Sequence, residues 1–277
     1  MLSPLLTAEP FAPCAGAAAR LLKAAQPLLL VGLLLWHGAL AALATQLRAA
    51  LAGAPAQLLR PAAWRDALLA RAMPVLLAAS DETWAPVKRD LVAHAHGSVL
   101  EVGAGSGMTL KYYRRSEVTS LVLLEPFAEL HAPLRSAIAA HGLGAVATLV
   151  PHGVHERRAL AQAGVRAARF DTVVLVQVLC SIPEPHAHLA YLQSLLAPGG
   201  RLLLFEHVGS ASRLTRAVQR AWTYPLWRFV AAGCCLDRDS GVWLAQLGGW
   251  KHVELLRPAS EDDGDVVPHA VGIFTKA

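Results

Sequence analysis

The stretch Ser98-Val99-Leu100-Glu101-Val102-Gly103-Ala104-Gly105-Ser106-Gly107 constrains the fold of this chain more than any other. Its apolar run, Val99 to Val102, reads as a buried strand. Glycines at 103, 105 and 107 then turn the chain tightly toward a helix. Glycine suits such a turn because it takes positive φ at little cost and lets a ligand approach the backbone. A second apolar strand, Leu121 to Leu124, ends in Glu125. A carboxylate at that position can accept the hydroxyls of a ribose, and a glycine loop with an acid at the next strand's tip is how a doubly wound sheet holds a nucleoside cofactor.

The rest of the chain repeats the alternation. Strands are expected over 98–103, 119–125, 146–151, 171–177 and 200–207. Helices are expected over 81–95, 107–114, 127–141, 155–163 and 186–196. Such spacing implies a parallel sheet with helices on both faces. A long helical insert (211–232) follows. Two final strands, 250–257 and 267–275, are separated only by the acidic turn Ala259 to Asp265 and should pair antiparallel. The expected architecture is α/β: a doubly wound, Rossmann-like, mostly parallel seven-stranded sheet with an antiparallel C-terminal hairpin, preceded by an N-terminal hydrophobic membrane-anchor helix. No internal repeat is visible.

Hydrophobic residues make up 55% of the chain and charged ones 16%, which is apolar for a soluble protein. The cause is local, because no charged side chain occurs from Ala24 to Leu47. About 20 helical residues span the hydrocarbon core of a bilayer. A membrane anchor, spanning or lying in the interface, is the favoured reading of this run. A cleaved signal peptide is a rival, since Ala42 and Ala44 have the spacing of a cleavage site, but the run exceeds the ~7–15 residues of its apolar region. A buried core helix and a mitochondrial targeting segment are further alternatives. Gly32 and Gly38 leave room for a bent, hairpin-like insertion. Arginines at 48, 60, 65 and 71 place the C-terminal part in the cytosol by the positive-inside rule. The expected layout is a loosely ordered N-terminus (1–23), the anchor (24–47), short amphipathic linker helices at the membrane surface (48–79) and a catalytic domain (80–277).

The net charge of +5 suits a protein resting on anionic lipid. The basic residues are scattered and lack aromatic interleaving, so no nucleic-acid partner is expected. Four cysteines show no CxxC spacing, and reduced thiols are the default. The histidine pairs His94/His96 and His186/His188 are two apart, which does not align them on a helix, so no metal is expected.

The glycine loop departs from the dinucleotide fingerprint G-x-G-x-x-G/A. Its third glycine comes one residue early, and Met108 fills the expected slot. The pattern resembles motif I of class I S-adenosylmethionine (SAM) methyltransferases. That resemblance implies SAM as cofactor, with Glu101, Gly103, Ala104, Gly105 and Gly107 forming the loop on its methionyl part. Glu125, followed by Pro126, is then the ribose acid. It further implies adenine contacts at Gly153 and Val154 and a methyl-transfer site lined by Gln177, Val178 and Leu179. Asp171, at the far end of its strand, reads as a turn or cap acid.

Four short segments resemble a narrower branch, the membrane-associated methyltransferase-like proteins of endoplasmic reticulum and lipid droplets. They are Val178-Leu179-Cys180-Ser181, Phe205-Glu206-His207, Gly233-Cys234-Cys235-Leu236-Asp237-Arg238 and Pro268-His269-Ala270-Val271-Gly272. The likeness covers about 75–270 and implies an N-terminal anchor and methylation of small thiols. Ala104 and Glu125 stand where relatives often carry cysteine and aspartate, and the insert at 208–232 matches poorly.

Methyl transfer is an in-line displacement, so the protein supplies positioning and, for an acidic acceptor, a base. Glu206 and His207, at the expected mouth, are the candidates: either one takes a proton and the other orients it, or the pair is structural and holds the insert. His269 reads as a turn histidine or a second pocket histidine. Cys234 and Cys235 read as packing or pocket lining. Trp222, Tyr224, Trp227 and Phe229 roof an acceptor site, touch lipid or pack the core. The sequence thus points to a membrane-associated SAM-dependent methyltransferase acting on a small lipophilic acceptor, with a thiol first. The alternatives are a quinone- or lipid-modifying methyltransferase, a non-catalytic SAM-fold membrane assembly factor and an NAD-linked oxidoreductase. Membrane lipid is the expected partner of the N-terminal segment, and the endoplasmic reticulum or lipid droplet the expected location, with a mitochondrial membrane as the alternative. No oligomeric state follows from the sequence.

Overall fold

Eight strands form one sheet in the computed structural model, which describes residues 2, 4–231 and 233–277. They are β1 (Leu6–Thr7), β2 (Gly97–Val102), β3 (Val118–Leu124), β4 (Ala147–Val150), β5 (Phe170–Val176), β6 (Leu196–His207), β7 (Trp250–Pro258) and β8 (His269–Lys276). Their order is β1-β7-β8-β6-β5-β2-β3-β4. Strands β2 to β6 pair parallel, β8 runs antiparallel to β6, and β7 runs antiparallel to β8. The order reverses between β2 and β5. Ligands of such sheets bind in the crevice outside the carboxyl ends at that reversal.

The helices are α1 (Ala17–Ala24), α2 (Gln26–Leu51), α3 (Pro61–Val92), α4 (Ala128–Ala140), α5 (Arg157–Gln162), α6 (His186–Leu195), α7 (Arg213–Trp222), α8 (Arg228–Val230) and α9 (Ser240–Gln246). Side chains alternate across a strand, so the sheet feeds two cores. Leu100, Val173, Leu175, Leu202 and Leu204 pack with Leu189 and Leu192 of α6 and Leu244 of α9. Val99, Leu121, Val174, Leu203 and Phe205 pack on the other face with Leu91 and Val92 of α3 and Leu134 of α4. Covering both faces explains why these strands read as continuous apolar runs rather than alternating ones. Each fully buried branched side chain contributes about 1.5–3 kcal/mol.

Several expectations need correction. The sheet has eight strands rather than seven. The eighth, β1, is only two residues long and pairs Leu6 with Pro258 and Thr7 with Arg257. Two residues carry no periodicity a sequence reading can detect. The N-terminal segment is also pinned rather than loose. The acidic turn after β7 takes ion pairs from Arg20 (to Asp263, 2.7 Å) and Lys23 (to Asp262, 2.9 Å, and Asp265, 2.8 Å).

The expected short helices over 48–79 are largely one helix. α3 runs 32 residues, straight through the domain boundary placed at Ser80. Pro61 sits in its first turn, where no N–H is needed, and Pro74 and Pro86 are carried inside it. α2 likewise passes unbroken through Gly32 and Gly38. The hairpin lies between α2 and α3, and a Cβ on Gly38 would stand 2.7 Å from the Leu68 carbonyl oxygen. Leu34 packs there on Leu69 and Ala72. The expected helix over 107–114 is a single 3-10 turn, Leu110–Tyr112, and α9 was missed because its seven residues are too few to show a helical period.

Candidate active site

The glycine loop follows β2 at the reversal. Gly103, Gly105 and Gly107 all have positive φ, at 70°, 58° and 85°. A Cβ on Gly103 would collide with Val178, and one on Gly107 would stand 2.8 Å from Ala137. One on Gly105 would meet only Leu77 of α3, at 3.6 Å. The loop is thus pressed against the β5 tip and α4 at its ends, while its middle, under Leu77 of α3, has room for ordinary contact.

Glu125 follows β3 directly and is buried. Its Oε2 accepts from the Gly105 N–H (2.7 Å) and its Oε1 from the Phe127 N–H (2.9 Å). Burial pushes its pKa up, against the pull of those two N–H groups. Pro126, beside it, is exposed. Glu101 does not face the cleft. It lies under the loop, accepting from the Thr109 hydroxyl and from Tyr113 OH (2.8 Å), and burial raises its pKa to about 7. Ala104 is buried, its N–H donating to the Leu124 carbonyl (3.0 Å). Past β4, Gly153 and Val154 turn inward: the Gly153 N–H donates to Glu156 Oε2 (2.7 Å), and Val154 joins the core. Asp171 accepts from the Ser98 N–H (2.8 Å), a bracing role.

Gln177, Val178 and Leu179 form the loop after β5. Glu206, at the β6 tip, is completely buried and holds that loop from below, its Oε1 accepting from the N–H groups of Val178 (2.7 Å) and Leu179 (2.8 Å). Burial lifts its pKa to about 8. Successive residues on a strand point to opposite faces, so Glu206 and His207 do not orient one another. His207 Nε2 lies 3.1 Å from Cys234 Sγ instead. The expected base pair is therefore two separate devices: Glu206 positions a loop, and His207 belongs to a sulfur cluster.

His269, opposite His207 in the β6–β8 register, stacks on Phe205 with ring centroids 4.9 Å apart, and its Nδ1 meets Glu261 at 2.6 Å. Burial holds its pKa well below the usual histidine value. The four aromatics of the insert divide. Trp222 Nε1 donates to the Ala24 carbonyl (3.1 Å), Trp227 is buried against Cys234, and Tyr224 and Phe229 are exposed.

Sequence reasoning missed the polar face of α3. Asp81 and Lys88 are both buried and 3.4 Å apart. Asp81 also meets Lys111 (2.6 Å) and Tyr112 OH (3.0 Å). Lys88 donates to Gln177 Oε1 (3.1 Å), and burial lowers its pKa. The available signal was a pair of opposite charges two helical turns apart, on the face that carries Leu91 and Val92.

A family model described as a methyltransferase domain matches residues 62–255. Human thiol S-methyltransferase TMT1B is 26% identical over 190 residues, covering 66% of this chain and 71% of that protein. The mitochondrial methyltransferase OMS1 of Saccharomyces cerevisiae is 29% identical over 126 residues, covering 42% of this chain but only 27% of its own length. Among solved structures, an O-methyltransferase family protein from Burkholderia thailandensis superimposes with a TM-score of 0.56 at 17% identity, over 78% of this chain and 60% of that one. The fold carries that last likeness. The nicotinamide reading of the glycine loop gives way to this match, and the chain belongs to the methyltransferase domain family.

Proposed function

We propose that the protein transfers a methyl group from SAM to the sulfur of a small lipophilic thiol at a membrane surface. One observation carries the cofactor half: the middle of the glycine loop is held to a buried carboxylate, Glu125, 2.7 Å from the Gly105 nitrogen. These residues fit SAM. The loop backbone would take its methionyl part, and Glu125 would exchange its bond to Gly105 or Phe127 for a ribose hydroxyl. SAM supplies a methyl group already activated on a sulfonium. What remains for this chain is orientation and exclusion of water. Gln177 to Leu179, fixed by Glu206 and Lys88, close one side of the cleft, and Leu77 and Ser80 of α3 close the top.

The membrane half rests on Ala17–Leu51, a helical stretch of 35 residues that is long and apolar enough to cross a bilayer. Leu29, Trp36 and Leu40 project outward from it. It packs on the first half of α3, and the second half of α3 roofs the cleft, so an acceptor dissolved in lipid would arrive beside the site. The thiol half rests on the relatives named thiol S-methyltransferase, of which human TMT1B is one. The experiment is direct. The full chain in detergent micelles is incubated with methyl-labelled SAM and a matched panel of an alkanethiol, an alkanol, a phenol and a quinol. Label in the thioether supports the reading, and label in the quinol alone overturns the thiol.

A further inference from the structure

Three sulfur and nitrogen donors meet beneath the β5 loop. Cys180 follows Leu179, His207 ends β6, and Cys234 lies in the segment after α8. Their ligand atoms all lie within 4.8 Å of one another, and all three residues are buried. They come from three separate segments that the fold fastens together. The Cys235 N–H donates to the Cys180 carbonyl (2.9 Å), and Arg238 donates to the carbonyls of Leu179 and Ile182. Trp227 Nε1 donates to Cys234 Sγ (3.2 Å), the kind of surrounding hydrogen bond that steadies a metal thiolate. The ring proton of His207 falls to Nδ1, buried and without a partner among the described residues, when Nε2 serves as a ligand.

We infer that Cys180, Cys234 and His207 form a zinc site whose fourth position receives the sulfur of the methyl acceptor. Two thiolates and one imidazole are a donor set that selects zinc over magnesium or calcium. Zinc–sulfur bonds of about 2.3 Å and zinc–nitrogen bonds of about 2.0 Å place tetrahedral donors about 3.5–3.8 Å apart; His207 Nε2 and Cys234 Sγ, 3.1 Å apart, stand just inside that spacing, and no pair of the trio is wider than 4.8 Å, so the trio closes on an ion with shifts of about 1 Å or less. Binding releases two thiol protons to solvent, and the two thiolates cancel the ion's charge, which suits a buried place. Three protein ligands with one open position is the arrangement of catalytic rather than structural zinc.

The role of that fourth position rests on the thiol reading above. The acceptor's S–H proton leaves to solvent as its sulfur binds the ion. The sulfur then forms a bond to the methyl carbon as the sulfonium–methyl bond breaks, and the neutral thioether departs. Free alkyl thiols are mostly protonated at neutral pH, and the thiolate is the nucleophile. The site thus supplies what Glu206, turned to the β5 loop, does not.

The test uses the full chain in detergent. Zinc content by elemental analysis should be about one per chain, and Cys180→Ser and Cys234→Ser should each lower zinc affinity at least tenfold, with Cys14→Ser as the control that keeps it. Cobalt substitution of the wild-type chain reads the ligand set without any variant. It should give sulfur-to-cobalt charge-transfer bands and the intense visible bands of tetrahedral coordination. An alkanethiol should shift those bands, and the matching alkanol should not. A wild-type chain without metal overturns the site, as does a Cys180–Cys234 disulfide or zinc retained by both serine variants. Thiol methylation by metal-free protein overturns the role of the fourth position. A chain that holds zinc through these residues but methylates no thiol overturns the thiol reading and the role of the fourth position, and leaves the metal site standing.

Discussion

Ser80 and Gln177 are joined side chain to side chain. The Ser80 hydroxyl lies 3.2 Å from Gln177 Oε1 and 3.1 Å from its Nε2, which ties the middle of α3 to the first residue after β5. Gln177 has a φ of 53° and receives Lys88 at 3.1 Å. A non-glycine residue in that conformation stores strain, of order 1 kcal/mol or more, and the surrounding hydrogen bonds hold it there.

Gln177→Ala and Gln177→Gly therefore separate contact from strain. Both lose the bonds to Ser80 and Lys88, about 0.5–1.5 kcal/mol each, but only glycine relieves the backbone. Chemical denaturation should show the alanine variant less stable by about 2 kcal/mol and the glycine variant less affected by about 1 kcal/mol. Equal losses would mean that the positive φ costs nothing here.

For Glu206 the structure assigns a positioning role. Glu206→Ala strands the buried N–H of Leu179 and the part-buried N–H of Val178, at about 1–3 kcal/mol for the first and less for the second. Stability should fall by about 3 kcal/mol, and amide exchange in 177–182 should quicken. Glu206→Gln keeps an acceptor oxygen and should retain most of the activity. If Glu206→Ala loses turnover that alkaline pH restores while loop exchange stays slow, the residue is a base after all.

Glu101 makes folding sensitive to pH. Its pKa rises from 4.5 to about 7 on folding, chiefly through burial. A raised acid is neutral in the folded state, so its contribution is complete below about pH 4.5 and is lost as pH rises through about 7. The loss amounts to about 3 kcal/mol. In Glu101→Gln, which stays neutral, the stability relative to wild type should improve by that amount between pH 5 and pH 8. Parallel stability curves for the two proteins would remove Glu101 from the account.

Leu29, Trp36 and Leu40 lie on the outward face of α2, at 69%, 83% and 81% exposure. Lysine at all three should leave the fold intact, because none is buried in it. Each charge costs about 2.5–3.5 kcal/mol at the centre of a bilayer. The triple variant should move from the membrane pellet to the soluble fraction with its melting temperature unchanged. Retention in the pellet would place membrane contact elsewhere, with Tyr224 and Phe229 the next surface to test.

What could be read from the sequence was what short-range chemistry encodes. The alternation of apolar strands and helices, the glycines at 103, 105 and 107 and the acid at 125 all follow from local pattern, as does the antiparallel pairing of the last two strands. What could not be read depends on partners distant in sequence. Glu206 looked like a base because its position at a strand tip is local information, whereas its hydrogen bonds to residues 178 and 179 are not. The cluster of Cys180, His207 and Cys234 has no ligand spacing along the chain, since its members are 27 residues apart twice over. β1 is visible only through the edge of β7 that it covers.

The central claim is that the glycine loop and Glu125 together bind SAM. Calorimetric titration of the full-length chain with SAM and with NADH tests it most directly, alongside the same titrations of Glu125→Ala. SAM should bind with one site per chain, NADH should give no saturable heat, and Glu125→Ala should weaken SAM about tenfold or more, the loss of one charge-assisted hydrogen bond of roughly 1.5–3 kcal/mol. Saturable NADH binding, or SAM binding untouched by Glu125→Ala, would contradict the account.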